Sequence, residues 1–340
     1  MPVTINEIAK LAQVSKSTVS RVINKSGPVS EKTKRAVLNA IDSVNYQPSE
    51  IARSLTLKRT NTIGLVVQDI RNPFFALACW HVERFFRQHG YITIMCNADS
   101  DFLVEQSLLE AMRKHSVDGV LCIGGEQGHA PLLESNGVKG IPLVMVEREV
   151  GDRTVTSVTL DNVYGGQLAV EYLFSLGHRR IAFVTSEFTA AEQARFQGYI
   201  AEHRNRGIIV DSNLIVSLEE DQWHHGNLNR ILRIFSMRDR PTAIFASNDY
   251  KALQVMRLFK KNNVSVPGDI SVIGFDDIEI ASMVHPALTT VHQPIDRMVE
   301  LGAQMLLELL DGRGNPGEKR MLSPWLVERE SVRRVDLKRE

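Results

Sequence analysis

Two groups of residues in this 340-residue sequence have types and spacing suited to chemistry, and they require different partners. Near the N-terminus, Lys16, Ser17 and Arg21 fall on the polar side of a short periodic stretch. Lysine and arginine donate to guanine O6 and N7, and serine hydrogen-bonds to several bases, so a helix presenting these three can read base edges in a major groove. Farther along, polar and aromatic residues gather at the ends of apolar segments. These are Asp69-Ile70-Arg71-Asn72-Pro73-Phe74-Phe75, Glu147-Arg148, Arg195-Phe196-Gln197-Gly198-Tyr199, Ser247-Asn248-Asp249, Gly274-Phe275-Asp276-Asp277 and His292-Gln293-Pro294. Aromatic faces together with Arg, Asp, Asn and Gln suit a sugar, which needs flat apolar stacking and bidentate partners for neighbouring hydroxyls.

The elements that must position the first group are short helices. Ile5, Ile8, Ala9 and Ala12 repeat at helical spacing behind Thr4, a capping residue. After Gln13 and Val14, Ser15 begins a second stretch whose Val19, Val22 and Ile23 face inward. Two short helices, a tight connection and the small Ala9 at the closest approach make a helix-turn-helix, whose second helix turns its first residues towards the bases. From periodicity alone, an amphipathic pair in any small bundle fits as well. A third helix starts from Ser30 with Val37, Ile41 and Val44 inward, and ends by Tyr46-Gln47-Pro48, because proline disfavours helix in the residue before it. A short segment over residues 49–55 precedes the polar linker Lys58-Arg59-Thr60-Asn61.

From Thr62 onward, strand-like runs alternate with amphipathic helical stretches. The runs are Ile63 to Val67, Tyr91 to Met95, Gly119 to Ile123, Leu143 to Val146, Ile181 to Val184, Ala243 to Ala246 and Ile270 to Gly274. This alternation predicts parallel sheets covered by helices, in number enough for two sheets. Ligands of such sheets bind at the carboxyl ends of the strands, where the second group of residues stands.

Charge divides the chain the same way. Residues 1–60 hold ten Lys/Arg against four Asp/Glu, although the whole chain is formally neutral. A basic head on an acidic body is the footprint of phosphate binding by the head. No apolar run reaches the roughly 18 residues of a membrane span, so no membrane partner is expected. The N-terminus lacks the order of a secretory signal. Cys79, Cys96 and Cys122 are odd in number and widely spaced, as reduced thiols of a cytoplasmic protein would be. The catalytic and nucleotide-loop motifs G-x-S-x-G, Walker A and H-E-x-x-H are missing. His224-His225 lacks metal-ligand spacing, and adjacent Asp276 and Asp277 would point apart on a strand end. No catalysis, cofactor or metal is expected.

Thr4-Ile5-Asn6-Glu7-Ile8-Ala9, Val14-Ser15-Lys16-Ser17-Thr18-Val19-Ser20-Arg21-Val22-Ile23-Asn24 and Tyr46-Gln47-Pro48-Ser49-Glu50-Ile51-Ala52-Arg53-Ser54-Leu55 resemble, in order and spacing, the lactose-repressor (LacI/GalR) family. The resemblance implies an α/β protein with an N-terminal all-α helix-turn-helix head. Its core would be periplasmic-binding-protein-like, with two doubly wound parallel-sheet lobes. It divides the chain into a head at 1–47, a hinge helix and linker at 48–61 and a core at 62–340. Lobe one would span about 62–161 plus 292–321, and lobe two about 162–290 plus 322–340.

The resemblance also implies DNA contacts by Thr4, Ser15, Lys16, Ser17, Thr18, Ser20, Arg21 and Asn24. Ala52 and Leu55 would lie on the hinge helix, with Leu55 as a minor-groove wedge. In the cleft it implies effector contacts by Asn72, Phe74, Phe75, Arg148, Arg195, Asn248, Asp276 and Gln293, with Asp69 and Trp223 as further candidates. Glu147 departs from the aspartate that sugar binders of the family carry before the arginine. Without the family, Leu55 reads as a surface residue and one of Phe74 and Phe75 reads as core; Asp161 and Asp277 read as helix caps or strand ties. The function implied is sequence-specific regulation of transcription, with a repressor the expected form. A homodimer would sit on double-stranded operator DNA of pseudo-palindromic sequence. A small-molecule effector would control it, a sugar being favoured over a purine or other corepressor. An architectural DNA-binding protein whose body only dimerises is the rival reading.

Overall fold

The computed structural model describes residues 4–24, 27–45, 59–125, 140–148, 154–186, 189–218 and 229–335. Two compact units are formed, Met1–Thr60 and Asn61–Glu340. Ala52, Leu55 and Trp223 lie outside the described residues.

The first unit is three helices: α1 (Ile5–Leu11), α2 (Lys16–Asn24) and α3 (Glu31–Ser43). At the start of α1 the Glu7 carboxylate accepts the Thr4 backbone N–H at 2.7 Å, tying the first turn back on its cap. The helix ends in a Schellman arrangement: Val14 N–H reaches the Ala9 carbonyl at 3.0 Å and Gln13 N–H the Lys10 carbonyl at 3.2 Å. Gln13 takes the left-handed φ of 54° that this stop requires. Ser15 then accepts the Thr18 N–H at 3.1 Å and opens α2. Ser30 accepts the Thr33 N–H at 3.2 Å and opens α3. Ile8, Ala9, Val19, Val22, Val37 and Ala40 form the core of this unit, and Val14 packs on it from the turn.

The second unit contains β1 (Thr62–Val67), α4 (Pro73–Gln88), β2 (Ile92–Asn97), α5 (Phe102–Lys114), β3 (Gly119–Ile123), β4 (Leu143–Val146) and β5 (Thr156–Leu160). Then follow α6 (Asn162–Ser175), β6 (Ile181–Thr185), α7 (Ala190–Asn205), β7 (Ile215–Ser217), α8 (Asn229–Phe235), β8 (Ala243–Ala246), α9 (Asp249–Lys261) and β9 (Ser271–Ile273). Last come α10 (Glu279–Met283), β10 (Thr290–His292), α11 (Ile295–Leu310), β11 (Lys319–Leu322) and β12 (Trp325–Val327).

A six-stranded sheet runs β11-β5-β4-β3-β1-β2 and a four-stranded sheet runs β7-β6-β8-β9. Every pairing in both is parallel. All residues of β3, β6 and β8 are buried, as expected where helices cover both faces of a parallel sheet. The seven sequence-predicted runs all fall on strands. Sequence patterning did not show β5, whose Thr-Ser-Val-Thr-Leu lacks an apolar run, or the three-residue strands β7 and β10, or the polar β11.

The chain leaves the first sheet at Asp161, builds the second, and returns through β10 to α11, which packs against α4, β3, β4 and β5. It departs again after β11, and β12 pairs antiparallel with β10. Among the described residues no helix is long and apolar enough to cross a membrane.

Candidate functional site

In the head, Lys16, Ser17 and Arg21 are exposed on α2, while Val19 and Val22 on the opposite side are buried. Thr18 and Ser20 are half-buried beside them, and Ser15 and Thr4 are exposed at the two helix starts. Ser15 Oγ lies 2.7 Å from Ser17 Oγ and 2.8 Å from Thr18 Oγ1, which holds the first turn of α2 together. Asn24 closes the helix. No acidic residue stands in that first turn, so the positive helix N-terminus and Lys16 reinforce each other. A basic helix tip free of carboxylates is suited to a groove walled by phosphates.

In the core, a cavity opens between segments that end strands of the two sheets. Asp69, Asn72, Phe74, Phe75, Arg195, Asn248 and Asp276 line it, each of them expected from the sequence. Asn72 caps α4 through Oδ1, which accepts Phe74 N–H at 3.1 Å; its amide nitrogen is the part left for a ligand. Asn248 caps α9 in the same way, accepting Lys251 N–H at 2.9 Å. Phe74 and Phe75 meet edge to face at 5.3 Å and belong both to the hydrophobic core and to the cavity wall. Asp69 holds Arg71 Nε at 2.9 Å.

Arg195 is the centre of the cleft. Nε donates to Asn162 Oδ1 at 2.9 Å, Nη1 to the Ser247 carbonyl at 2.7 Å, and Nη2 to Glu147 Oε1 at 3.1 Å. Its guanidinium carbon lies 3.8 Å from the Phe275 ring centroid. Helix α7 can deliver it because α6 and α7 touch backbone to backbone. A Cβ at Gly198 would collide with the Val163 carbonyl and one at Gly166 with the Arg195 carbonyl, so only glycines allow this approach.

Two expected residues are placed differently. Arg148 does not line the cavity: Nη1 bonds both oxygens of Glu105 on α5, at 2.7 and 2.9 Å, in a pair buried on both sides. Its neighbour Glu147 enters the cleft instead. Adjacent side chains leave a strand end in opposite directions, and Glu147 also takes a left-handed φ of 63°. Gln293 stands behind the wall, its Nε2 donating to Asp276 Oδ1 at 2.6 Å. Trp223 lies outside the described residues. Asp161 caps α6 through the Tyr164 N–H at 2.9 Å, and Asp277 ties His292 and Arg329 at 2.8 and 2.6 Å.

Sequence reasoning missed a buried polar knot on the same wall. Lys251 Nζ pairs with Glu192 and donates to Ser186 Oγ at 2.7 Å, and Ser247 Oγ donates to Glu192 at 2.6 Å. The signal was available in the spacing: Glu192 precedes Arg195 by three residues and Lys251 follows Asn248 by three, which puts each pair on one helix face. Gln68, Ser100, Thr189, Ala191 and Tyr250 complete the lining.

Burial pushes the Glu147 carboxyl up to about 7, against the pull of Arg195, with Asp276 adding repulsion. Asp276 is pushed up to about 6 for the same reason, against the pull of Arg195 and Gln293. Burial acts on Glu192 too, but Lys251 and Ser247 outweigh it and hold that carboxyl below its ordinary value. Asp249, fully buried beneath the site and repelled by Asp276, is raised well above its ordinary value.

Comparison with known proteins gives the same two parts. Residues 4–49 match the family model described as bacterial regulatory proteins, lacI family, and residues 170–332 that of a periplasmic binding protein-like domain. The transcriptional regulator DegA of Bacillus subtilis is 35% identical over 98% of both chains. The ribose operon repressor of Escherichia coli is 36% identical over 97% of this chain and 99% of its own. The structure of a LacI family transcriptional regulator from Enterococcus faecium, with bound ribose, superposes with a TM-score of 0.72 at 27% identity, covering 81% of this chain and 100% of that one. With a helix-turn-helix head, a core of two parallel sheets and full-length likeness to repressors, the chain belongs to the lacI family of bacterial regulatory proteins.

Proposed function

We propose that the protein is a sequence-specific DNA-binding repressor whose operator affinity is set by a small polar effector, favoured as a sugar, held against Arg195. One observation carries this reading: a single chain joins an exposed basic α2 to a cleft lined by both aromatic and polar side chains. In this reading Lys16, Ser17 and Arg21 read bases, with Thr4, Ser15, Thr18, Ser20 and Asn24 placing the helix on the phosphates. Residues 48–61 serve as hinge helix and linker, with Ala52 and Leu55 in the minor groove. Asn72, Phe74, Phe75, Asn248 and Asp276 hold the effector, and Asp69 braces the wall through Arg71. The protein acts on DNA in the cytoplasm and catalyses no reaction of its own.

The homodimer has a suitable face. Leu77 and Trp80 on α4 and Ile92, Ile94 and Met95 on β2 are exposed and neighbouring, at the end of the six-stranded sheet. An apolar area of this kind is an expected contact for a second copy. Lobe one (about 62–161 plus 292–321) and lobe two (about 162–290 plus 322–340) would close on the effector about their crossings, biasing the paired heads by an effective coupling of about 1–3 kcal/mol.

The test is to select genome fragments with the purified protein and measure binding to the recovered site by fluorescence anisotropy with and without sugars. A shared pseudo-palindrome whose affinity shifts with a sugar supports the reading. Scattered, salt-labile binding that no ligand alters returns the architectural alternative.

A further inference from the structure

The balance of charge and donors in the cleft takes the effector reading one step further, and rests on it. Two buried carboxylates, Glu147 and Asp276, share one guanidinium, that of Arg195, at 3.1 and 3.4 Å. The other acids of the described wall have their own cations: Arg71 on Asp69 and Lys251 on Glu192. Arg148, the cation next in sequence to Glu147, is committed to Glu105 outside the cleft. One carboxyl of this buried pair is therefore without a cation of its own.

Donors are short at the same place. Gln293 is 1% exposed, spends Nε2 on Asp276, and leaves Oε1 buried with no donor among the described residues. Three helix N-termini face the cavity and would by themselves favour an anion. Each already gives one N–H to its own cap, however: Phe74 N–H to Asn72, Glu192 N–H to Thr189 and Lys251 N–H to Asn248. An ammonium group brings one positive charge and three donors with no acceptor, which answers the charge deficit in the cleft.

We propose that the effector is an amine-bearing sugar whose ammonium group seats between Glu147 and Asp276. Its hydroxyls would then meet Asn72 and Asn248, and its apolar face Phe74 and Phe75. Glu147 is faced by Arg195, Asp276, Glu192 and Gln293, and Asp276 by Arg195, Gln293, Lys251, Glu192 and Asp249. Because both carboxyls hold their protons more tightly than in water, an arriving cation displaces a proton. Binding of the amine therefore strengthens as pH rises towards about 7 and weakens again where the ammonium group loses its own proton.

The experiment is titration calorimetry of the full chain with matched pairs, D-glucosamine against D-glucose and D-galactosamine against D-galactose, with D-gluconate as the anion. At least one amine is expected to bind about tenfold or more tighter than its neutral parent, the equivalent of one pKa unit. That advantage should fall on acidification from about pH 7 to about pH 5 and shrink in both Glu147→Gln and Asp276→Asn. Neutral parents or gluconate binding as well as the amines, or no binding by either amine at millimolar concentration, overturns the proposal. Operator affinity is read separately. An amine that binds in this manner without altering it would leave the charge assignment standing and remove the regulatory reading.

Discussion

Arg195 Nη2 on α7 donates to Glu147 Oε1 at the end of β4, at 3.1 Å, so one guanidinium joins segments belonging to the two sheets. Removing one partner of a buried pair leaves the other charge uncompensated, at a cost of about 3–5 kcal/mol. Arg195→Ala should lower the unfolding free energy by that amount in urea denaturation and abolish any effector response. A variant that keeps full effector response would contradict the role given to this residue.

Stability should also depend on pH through the same site. Glu147 has a folded value of about 7 against an ordinary 4.5, and Asp276 about 6 against 3.8. Acids raised in the folded state bind protons there that the unfolded chain releases first. Their contribution is therefore present at low pH and is lost as pH rises from about 4 to about 7. The loss attributable to Glu147 is up to about 3 kcal/mol. Glu147→Gln should flatten this part of the stability–pH curve, measured by denaturant melts. An unchanged slope would mean that Glu147 is not buried in the charged cluster.

His178 gives an opposite trend at lower pH. Burial depresses it to about 4 from 6.5, with both ring nitrogens engaged, Nδ1 by Thr242 at 2.9 Å and Nε2 by the Arg333 carbonyl at 3.0 Å. A depressed base contributes stability above its ordinary value that is lost as pH falls through about 6 to about 4. His178→Gln should remove that component of acid sensitivity in the same melts.

Arg21 and the exposed Lys10 separate base reading from phosphate attraction. If Arg21 reads a guanine, Arg21→Ala should cost about 1–3 kcal/mol at the operator and relax specificity at one position. Lys10→Ala should weaken operator and non-specific DNA alike if it meets phosphate, and reduce the salt slope by about one. Anisotropy against operator variants over a salt series distinguishes the two, and equal losses on all sequences for Arg21→Ala would sink its assignment.

Gly198 has its predicted effect through packing. A Cβ there meets the Val163 carbonyl and lies 2.8 Å from the Gln167 nitrogen, both backbone atoms that cannot rotate away. Gly198→Ala should destabilise by about 1–3 kcal/mol and weaken effector binding, because α7 carries Arg195. Thermal unfolding and calorimetry measure the two effects, and loss of stability with undiminished effector affinity would show that α7 yields without moving the arginine.

What the sequence determined by itself is local. The helix-turn-helix was legible because its caps, its Schellman turn and its apolar spacing all act within a few residues of one another. Strands such as Gly119–Ile123 were legible because a parallel strand buried on both faces must be apolar throughout. Asn72 and Asn248 stood in the sequence just after apolar strand runs, and the family resemblance implied their place in the cleft; in the structure each caps the helix that follows.

What only the tertiary structure decided is pairing between distant segments. Whether Glu147 or Arg148 faces the cleft depended on a left-handed backbone at one and on Glu105, 43 residues away, claiming the other. The Glu192–Lys251 knot, 59 residues apart, depended on α7 and α9 meeting at one wall. The polar β11, far in sequence from its partner β5, took its place because an open sheet edge supplied the hydrogen bonds that its own side chains did not announce. Burial and charge compensation are properties of the folded surroundings, and a residue type carries neither until those surroundings close around it.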